Sequence, residues 1–139
     1  MRVKFKGLLF QKAHIKNGVG SSSSDILGWD YVYRTVDGIC YKYYSAEPPL
    51  IGTMQAVPII YPHGLRVFDS YKIDYKKAID IFNSKFHEMF VATILAWPLT
   101  PECKEPYWYI KTTTGYDVII GADSGKIYSY DLQGTFKEE

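Results

Sequence analysis

Histidine and cysteine are the side chains in this chain best suited to bind a metal ion or to act as base and nucleophile. The 139-residue sequence holds three histidines, His14, His63 and His87, which are widely separated. No pair shows the His-x-x-x-His spacing that places two ligands on one helix face, and the two cysteines form no Cys-x-x-Cys motif. The spacing therefore predicts no metal site. The Gly18-Val19-Gly20 segment is too sparse for a phosphate-binding loop, because no Gly-Lys-Ser/Thr follows it. We therefore expect no cofactor.

Cys103 is the best candidate for a nucleophile, because the neighbouring Lys104 is a cation that stabilises a thiolate. Nucleophilic catalysis also needs a base and a third, orienting group, and no histidine is near Cys103 in sequence. No Gly-x-Ser-x-Gly elbow holds Ser70 or Ser124. Cys40 falls within a predicted strand and is expected to be a small core residue; its pairing with Cys103 stays open. We predict a protein that is not an enzyme, with a small enzyme using Cys103 as an alternative.

Tyrosine is the side chain that points to binding. The sequence contains 13 Tyr, 7 Phe and 3 Trp, and 17% of its residues are aromatic. Tyrosine and tryptophan suit half-buried strands and also binding faces, where they give large contacts at low entropic cost. We predict a binding surface formed by Tyr31, Tyr33, Tyr43 and Trp108, with a core position for Trp108 as the alternative. The partner expected for such a surface is a protein or a peptide.

The charge balance disfavours nucleic acid as the partner. The formal net charge is +1, whereas phosphate neutralisation by basic residues supplies most of the affinity of nucleic-acid binding. Single-stranded nucleic acid is nevertheless an alternative, since the tyrosines and Lys42 of one hairpin could stack bases. Residues 1–24 carry five cations and no acid before Asp25, as is typical of an edge strand protected by lysines or of a basic docking patch.

The first half of the chain predicts strands joined by turns. Residues 3–10 alternate as a strand, and 16–26 form a Gly/Ser loop. The strand that starts at Trp29 and the strand over 39–44 flank Asp37-Gly38, a strong hairpin signal because glycine accepts the positive φ of the turn. Residues 53–60 are a further strand, which Pro58 restricts to an edge or a strand end.

The second half predicts one helix followed by strands. Asp74 is a suitable N-cap, and apolar residues then recur at three- and four-residue steps, so we predict an amphipathic helix over 74–88. The apolar stretch 90–97 predicts a buried strand. Three further strands are expected, at 107–112, 117–121 and 126–130, with a frayed tail at 131–139.

These elements predict a single α+β domain over 1–139, in which an antiparallel β-sheet is packed against one main amphipathic α-helix. The N-terminal part, 1–26, is a basic strand plus the Gly/Ser loop. The sequence around Trp29 shares an imperfect pattern with the sequence around Trp108. Two explanations are open: an internal duplication, or the chance similarity of aromatic hairpins.

The C-terminal part of the chain resembles the PepSY family. In that family a strand carrying a tryptophan pairs with a strand that ends in a pattern of small residue, acid, turn and glycine. The corresponding residues here are Trp108 within 107–111, Asp117-Val118-Ile119-Ile120 and the run 121–127. The helix preceded by Lys72-Ile73-Asp74 is similar to the helix before those strands, so the resemblance covers 72–130. The hairpin 29–44 resembles the aromatic ribbon of some longer PepSY-like proteins.

The resemblance implies a cystatin/PepSY-like fold and a binding or inhibitory module with no shared catalytic residue. Members of the family are associated with peptidase propeptides and cell-envelope proteins, which implies regulation or inhibition of a peptidase. Self-association through an edge strand is the corresponding structural alternative.

No stretch of the sequence approaches the roughly 18 apolar residues of a membrane span. The apolar run before Gln11 is also shorter than the about 7–15 residues of a secretory signal. We therefore expect a cytoplasmic location for the chain as it stands, and a cell-envelope or secreted location if it is a trimmed form.

Overall fold

One antiparallel sheet and one α-helix make up the fold. The structure, a computed structural model, describes residues 5–47, 52, 56–59, 64–115, 117–130 and 136–138. Its elements follow the chain in this order: β1 Phe5–Ile15, β2 Ile26–Thr35, β3 Cys40–Ala46, β4 Val57–Ile59, α1 Tyr75–Lys85, β5 Phe90–Ala96, β6 Tyr107–Thr112, β7 Asp117–Gly121, β8 Ile127–Tyr130 and β9 Phe136–Glu138. The fold is therefore mixed α and β, as predicted, although most of it is sheet.

The sheet consists of two meanders that meet at one strand pair. The strand order is β4-β3-β2-β1-β5-β6-β7-β8-β9, and every neighbouring pair is antiparallel. The meeting point is the pairing of β1 with β5, in which Gln11 lies opposite Leu95. β4 is an outermost strand, so Pro58 does lie on an edge strand, where its missing amide donor is tolerated.

The hairpin of β2 and β3 is confirmed. Its turn contains Gly38 at φ 82°, and the amide of Gly38 donates to the carbonyl of Thr35 over 3.0 Å. Glycine favours this conformation because it has no Cβ. The register places Tyr31 opposite Tyr43 and Tyr33 opposite Tyr41. The turn thus fixes which aromatic side chains become neighbours on one face of the sheet.

The helix begins where the sequence predicts and ends earlier. The carboxylate of Asp74 accepts a hydrogen bond from the amide of Lys77 over 2.9 Å, as an N-cap does. The predicted end at residue 88 is wrong: α1 ends at Lys85, and Phe86 already has extended backbone angles. β5 begins at Phe90, so residues 86–89 connect the helix to the sheet.

The helix covers one face of the sheet, which we call the helix face. Helix residues Ile79 and Phe82 pack there against Trp108, Ile110 and Ile120, and all five have at most 1% of their surface exposed. The opposite face, which we call the open face, has a smaller cluster of buried residues. That cluster contains Leu9, Val32 and Cys40, with Leu65 and Val67 packed against it.

Three other predicted boundaries differ from those in the structure. β1 continues to Ile15, beyond the predicted end at residue 10, and residues 1–4 lie outside the described part. Of the predicted strand 53–60, only Val57–Ile59 is a strand among the residues described. The predicted frayed tail is partly wrong, because Phe136–Glu138 pair with β8 as an edge strand. The cystatin/PepSY-like description of the fold stays a prediction.

Candidate binding surface

Four tyrosines of the β2–β3 hairpin form a paired cluster on the helix face, which we call the tyrosine ladder: Tyr31, Tyr33, Tyr41 and Tyr43. The Tyr31 and Tyr43 rings are 5.1 Å apart between centroids and 21° from parallel; the Tyr33 and Tyr41 rings are 5.7 Å apart at the same angle. The Tyr33 and Tyr43 rings meet edge to face at 5.5 Å. Strand alternation and register bring these rings together, and each ring restricts the rotation of its neighbours.

The ladder lies beyond the part of the sheet that the helix covers. The helix shares its core cluster with residues of β5, β6 and β7, and its first residue, Tyr75, lies against Trp29 with 5.2 Å between the ring centroids. Tyr31, Tyr41 and Tyr43 are consequently half-buried rather than buried. Tyr33 is only 8% exposed and supports the two rings beside it.

The phenol groups of Tyr31, Tyr33 and Tyr43 are neutral at physiological pH. Burial raises the pKa of Tyr31 to about 12, and the nearby charge of Glu47 adds to this shift. Burial also raises the pKa of Tyr33 and of Tyr43 above the ordinary value. A partner would therefore meet uncharged hydroxyl groups, which can donate and accept hydrogen bonds.

A cavity of about 200 Å³ opens at the inner end of the ladder. Its floor is formed by β1 and β2 and its wall by the segment before the helix; we call it the aromatic pocket, and its lining residues are Leu8, Gln11, Tyr31, Phe68, Asp69 and Tyr71. Phe68 is held in place by two backbone hydrogen bonds with Leu8, of 2.7 and 3.0 Å. The wall is therefore tied to the sheet by main-chain bonds.

Carboxylates surround the pocket and the neighbouring aromatic rings. Asp69 is part of the pocket lining and is exposed. Glu47 accepts a hydrogen bond from the indole Nε1 of Trp29 over 2.8 Å. Burial is the main cause that raises the pKa of Tyr71, and the nearby charges of Asp74 and Glu47 add to this shift. Three carboxylates, those of Glu47, Asp69 and Asp74, therefore lie near this end of the ladder.

The structure brings together three of the four residues predicted to bind and separates the fourth. Tyr31, Tyr33 and Tyr43 are neighbours in the ladder. Trp108 is 0% exposed, and its indole Nε1 donates to the carbonyl of Ile73 over 2.8 Å. Trp108 is therefore a core residue, the alternative that the sequence left open, and its predicted place on the binding surface is withdrawn because no partner can reach its ring.

Sequence reasoning missed the pocket wall. Phe68, Asp69 and Tyr71 belong to the stretch before the helix, which shows no periodicity and reads as a plain connector. Gln11 was missed because it follows the predicted end of the first strand. No local signal identifies these wall residues, because their position depends on main-chain bonds between Phe68 and Leu8 of β1.

The cysteines occupy different environments, and both are free thiols. Cys40 is 2% exposed, and burial raises the pKa of its thiol, so the predicted core role is confirmed. The Sγ atom of Cys103 accepts a hydrogen bond from the hydroxyl of Thr100 over 3.2 Å. Cys103 also contacts the hydroxyl of Tyr107, whose pKa is raised chiefly by burial. Neither of these hydroxyl groups is a general base for thiol chemistry at neutral pH.

Two of the three histidines, His14 and His87, lie within the described residues. His14 lies on the open face, where its Nε2 atom is 2.8 Å from a carboxylate oxygen of Asp30. His87 is exposed beyond the end of α1, and His63 lies outside the described residues. Within the described ranges, no group of three or more His, Cys, Asp or Glu side chains is placed to hold a metal ion. No helix of the described chain is long and apolar enough to cross a membrane.

The Asp123-Ser124-Gly125 segment is a turn held by a buried carboxylate. Glu105, 9% exposed, accepts hydrogen bonds from the amides of Asp123 and Ser124 over 2.9 and 2.8 Å, and from the Ser124 hydroxyl. The interpretation of Asp123 and Ser124 as turn residues is confirmed. The Glu105 carboxylate lies against Gly121, where it occupies the space that a Cβ atom would need.

No protein-family model, curated protein or solved structure matches this chain.

Proposed function

We propose that this protein is a non-catalytic binding domain that holds a short segment of a partner protein against the tyrosine ladder. One observation carries the proposal: four tyrosine rings are stacked in pairs, and three of them stay half-exposed on the part of the helix face that α1 does not cover. Rings that are already fixed by their neighbours lose little entropy when a partner covers them.

Peptide is the ligand class that these groups suit best. Each ring offers apolar area and one hydroxyl, a combination enriched at protein interfaces. A peptide segment presents apolar side chains and main-chain groups that match both features. The ladder is also continuous with the aromatic pocket through Tyr31, so a bound segment can lie along the hairpin and place one side chain in the pocket.

Single-stranded nucleic acid is the competing ligand, and two features disfavour it. The Tyr31 and Tyr43 rings face each other, as do those of Tyr33 and Tyr41, so each ring already uses one face that a base would need. The carboxylates of Glu47 and Asp69 near the ladder repel phosphate groups. Both features disfavour a polyanion and are compatible with a neutral or basic peptide.

Regulation or inhibition of a peptidase is the more specific role that we propose, and it rests on the PepSY resemblance alone. Its test is direct: purified protein is added to metallo- and serine peptidases acting on a fluorogenic substrate. Inhibition that Tyr43→Ala abolishes would support the role. If no peptidase of the panel is inhibited, the peptidase-regulating role is excluded and the peptide-binding proposal is unaffected.

Self-association would use other parts of the molecule. The outermost strands of the described sheet are β4 and β9, and Pro58 removes one amide donor from β4. Light scattering coupled to size exclusion distinguishes this alternative, because pairing through an edge strand depends on concentration and is unaffected by ladder variants.

A random peptide library provides the direct test of the proposed function. Peptides enriched on the wild-type protein are measured by fluorescence anisotropy against two variants, Tyr43→Ala and Tyr44→Ala. These residues are adjacent in β3 and point to opposite faces of the sheet, so Tyr44→Ala is the matched control. We expect Tyr43→Ala to weaken binding by about tenfold or more and Tyr44→Ala to leave it unchanged.

Two results would overturn the proposal. One is a set of enriched peptides that binds both variants equally, since the ladder would then not be the contact surface. The other is saturable quenching of tyrosine fluorescence by a single-stranded oligonucleotide that is lost on adding salt, because that behaviour indicates phosphate contacts.

A further inference from the structure

We infer that the aromatic pocket is a site for one cationic side chain of the bound segment, with arginine favoured over lysine. The inference deepens the proposed function and rests on it for the source of the ligand, a peptide. The ligand class itself, a cation that carries N–H donors, follows from the walls, the buried amide and the charge of the pocket.

Three aromatic rings form the walls. Tyr31 lies on the floor strand, and Phe68 and Tyr71 come from the segment that crosses it. The Phe68 and Tyr71 rings meet edge to face with centroids 6.3 Å apart. Aromatic rings attract cations through the negative potential of their faces, and a planar guanidinium also stacks on them.

Gln11 supplies an unused acceptor inside the pocket. Its side chain is only 4% exposed and belongs to the pocket lining. Across the described part of the chain its amide has no hydrogen-bond partner, although a buried amide ordinarily has one. Both polar atoms of the Gln11 amide keep some exposure to solvent, so a ligand can reach them. The side-chain amide is therefore available to a ligand, and its oxygen can accept an N–H.

The charge around the pocket selects the sign of the ligand. The one ionic group in the lining is the carboxylate of Asp69, and none of the six lining residues is a lysine or arginine. Glu47 and Asp74 add negative charge near Tyr71. A cation gains from all three carboxylates, whereas an anion would be repelled by them.

The volume of the aromatic pocket and the two acceptors that line it, Gln11 and Asp69, restrict the ligand further. About 200 Å³ is less than the roughly 300–1,000 Å³ of sites that enclose a whole small molecule, so the pocket fits a single side chain. A quaternary ammonium group cannot donate to Gln11 or Asp69. The guanidinium of arginine has five N–H donors in one plane and satisfies both acceptors while it lies between the rings.

The test compares arginine with its neutral isostere citrulline in the library-selected peptides. We expect enrichment of arginine at one position, and replacement of that residue by citrulline should weaken binding to wild type by about tenfold. The same replacement should have little effect on the Gln11→Leu and Asp69→Asn variants. Asp80→Asn is the control, since it removes one exposed negative charge from the helix, outside the pocket lining.

A second measurement separates failure of this inference from failure of the proposed function. N-acetyl-arginine amide and N-acetyl-citrulline amide are titrated into ¹⁵N-labelled protein, and the side-chain amide signal of Gln11 is followed by NMR. Shifts with the arginine compound alone support the pocket even if no peptide binds the ladder. Peptides that need Tyr43 but show no preference for arginine, together with an unmoved Gln11 signal, would overturn the inference and leave the proposed function standing.

Discussion

The hairpins β2–β3 and β6–β7 present the same face of the sheet in two different ways. In β6–β7 the residues on the helix face are Trp108, Ile110, Val118 and Ile120, all with 0% of their surface exposed. In β2–β3 the corresponding positions beyond Trp29 are the tyrosines of the ladder, three of which are half-buried. The two hairpins meet where the Trp29 and Trp108 rings lie 5.7 Å apart between centroids.

The difference follows the helix. Trp108 and three aliphatic side chains fill the positions that α1 covers. The one polar atom among them, the indole Nε1 of Trp108, is satisfied by the carbonyl of Ile73. Tyrosine fills the positions that α1 does not reach, because its ring tolerates partial burial and its hydroxyl can stay in water. The covered hairpin therefore contributes core side chains, and the uncovered hairpin leaves three tyrosine rings half-exposed, which is the surface that we propose for a partner.

Truncating one ring in each hairpin has the largest expected effect. Trp108→Ala removes a fully buried ring and its hydrogen bond to Ile73, and should lower the free energy of unfolding by about 3–5 kcal/mol. Tyr43→Ala removes a half-buried ring and should cost about 1 kcal/mol. Urea unfolding followed by far-UV circular dichroism measures both. Equal losses would show that the ladder is core and would break the comparison.

Two carboxylates that hold turns provide a matched pair of substitutions, with smaller expected losses of stability. Glu105 and Asp25 each accept hydrogen bonds from two successive backbone amides, but Glu105 is buried beside the covered hairpin and Asp25 is partly exposed before the uncovered one. We expect Glu105→Ala to cost about 1–3 kcal/mol, because it leaves amide groups unsatisfied. Asp25→Ala should cost about 0.5–1 kcal/mol.

The same urea titrations give the measurement for this pair. Glu105→Gln serves as the control, since it keeps the volume and one acceptor oxygen at the turn and should recover part of the loss. A larger cost for Asp25→Ala than for Glu105→Ala would mean that the loop before Ile26, rather than the buried turn, is the stronger anchor of the sheet.

The local elements of the fold were predictable from the sequence because their signals are local. Asp37-Gly38 fixed the first hairpin through its turn geometry, and Asp74 fixed the start of the helix through its capping carboxylate. The end of the helix was not predictable, since Phe86 and Phe90 continue the apolar spacing into the next strand. The pairing of β1 with β5 joins distant parts of the chain, and no local signal encodes it.

The candidate site was predictable only where it follows strand alternation. Tyr31, Tyr33 and Tyr43 alternate along their strands and so were found. Trp29 and Trp108 look like surface aromatics in sequence, and only the position of the helix decides that they are core. Asp69 and the other wall residues come from a segment without periodicity, whose position depends on main-chain bonds to β1 rather than on its own sequence.

The smallest expected effect concerns the hydroxyl groups and is seen only in alkali. Tyr31 has a pKa of about 12 in the folded protein, against 10.0 for an unperturbed tyrosine, because burial disfavours the phenolate. Below pH 10 the group is protonated in the folded and the unfolded chain alike. Between pH 10 and about 12 the unfolded chain loses the proton first, so folding stability falls as the pH rises through this window.

Tyr31→Phe removes this titration and keeps the ring. At pH 8 the variant and the wild type should differ by less than about 0.5 kcal/mol, since the change is at one half-buried hydroxyl. As the pH approaches 12 the variant should become the more stable by about 1 kcal/mol, a value reduced for partial solvent screening. Lysine deprotonation affects both proteins equally, so the difference between their urea midpoints isolates Tyr31. Parallel curves across the window would mean that the Tyr31 hydroxyl is solvated as freely in the folded chain as in the unfolded one, and the ladder would then be an open surface rather than the half-buried one on which its contrast with β6–β7 rests.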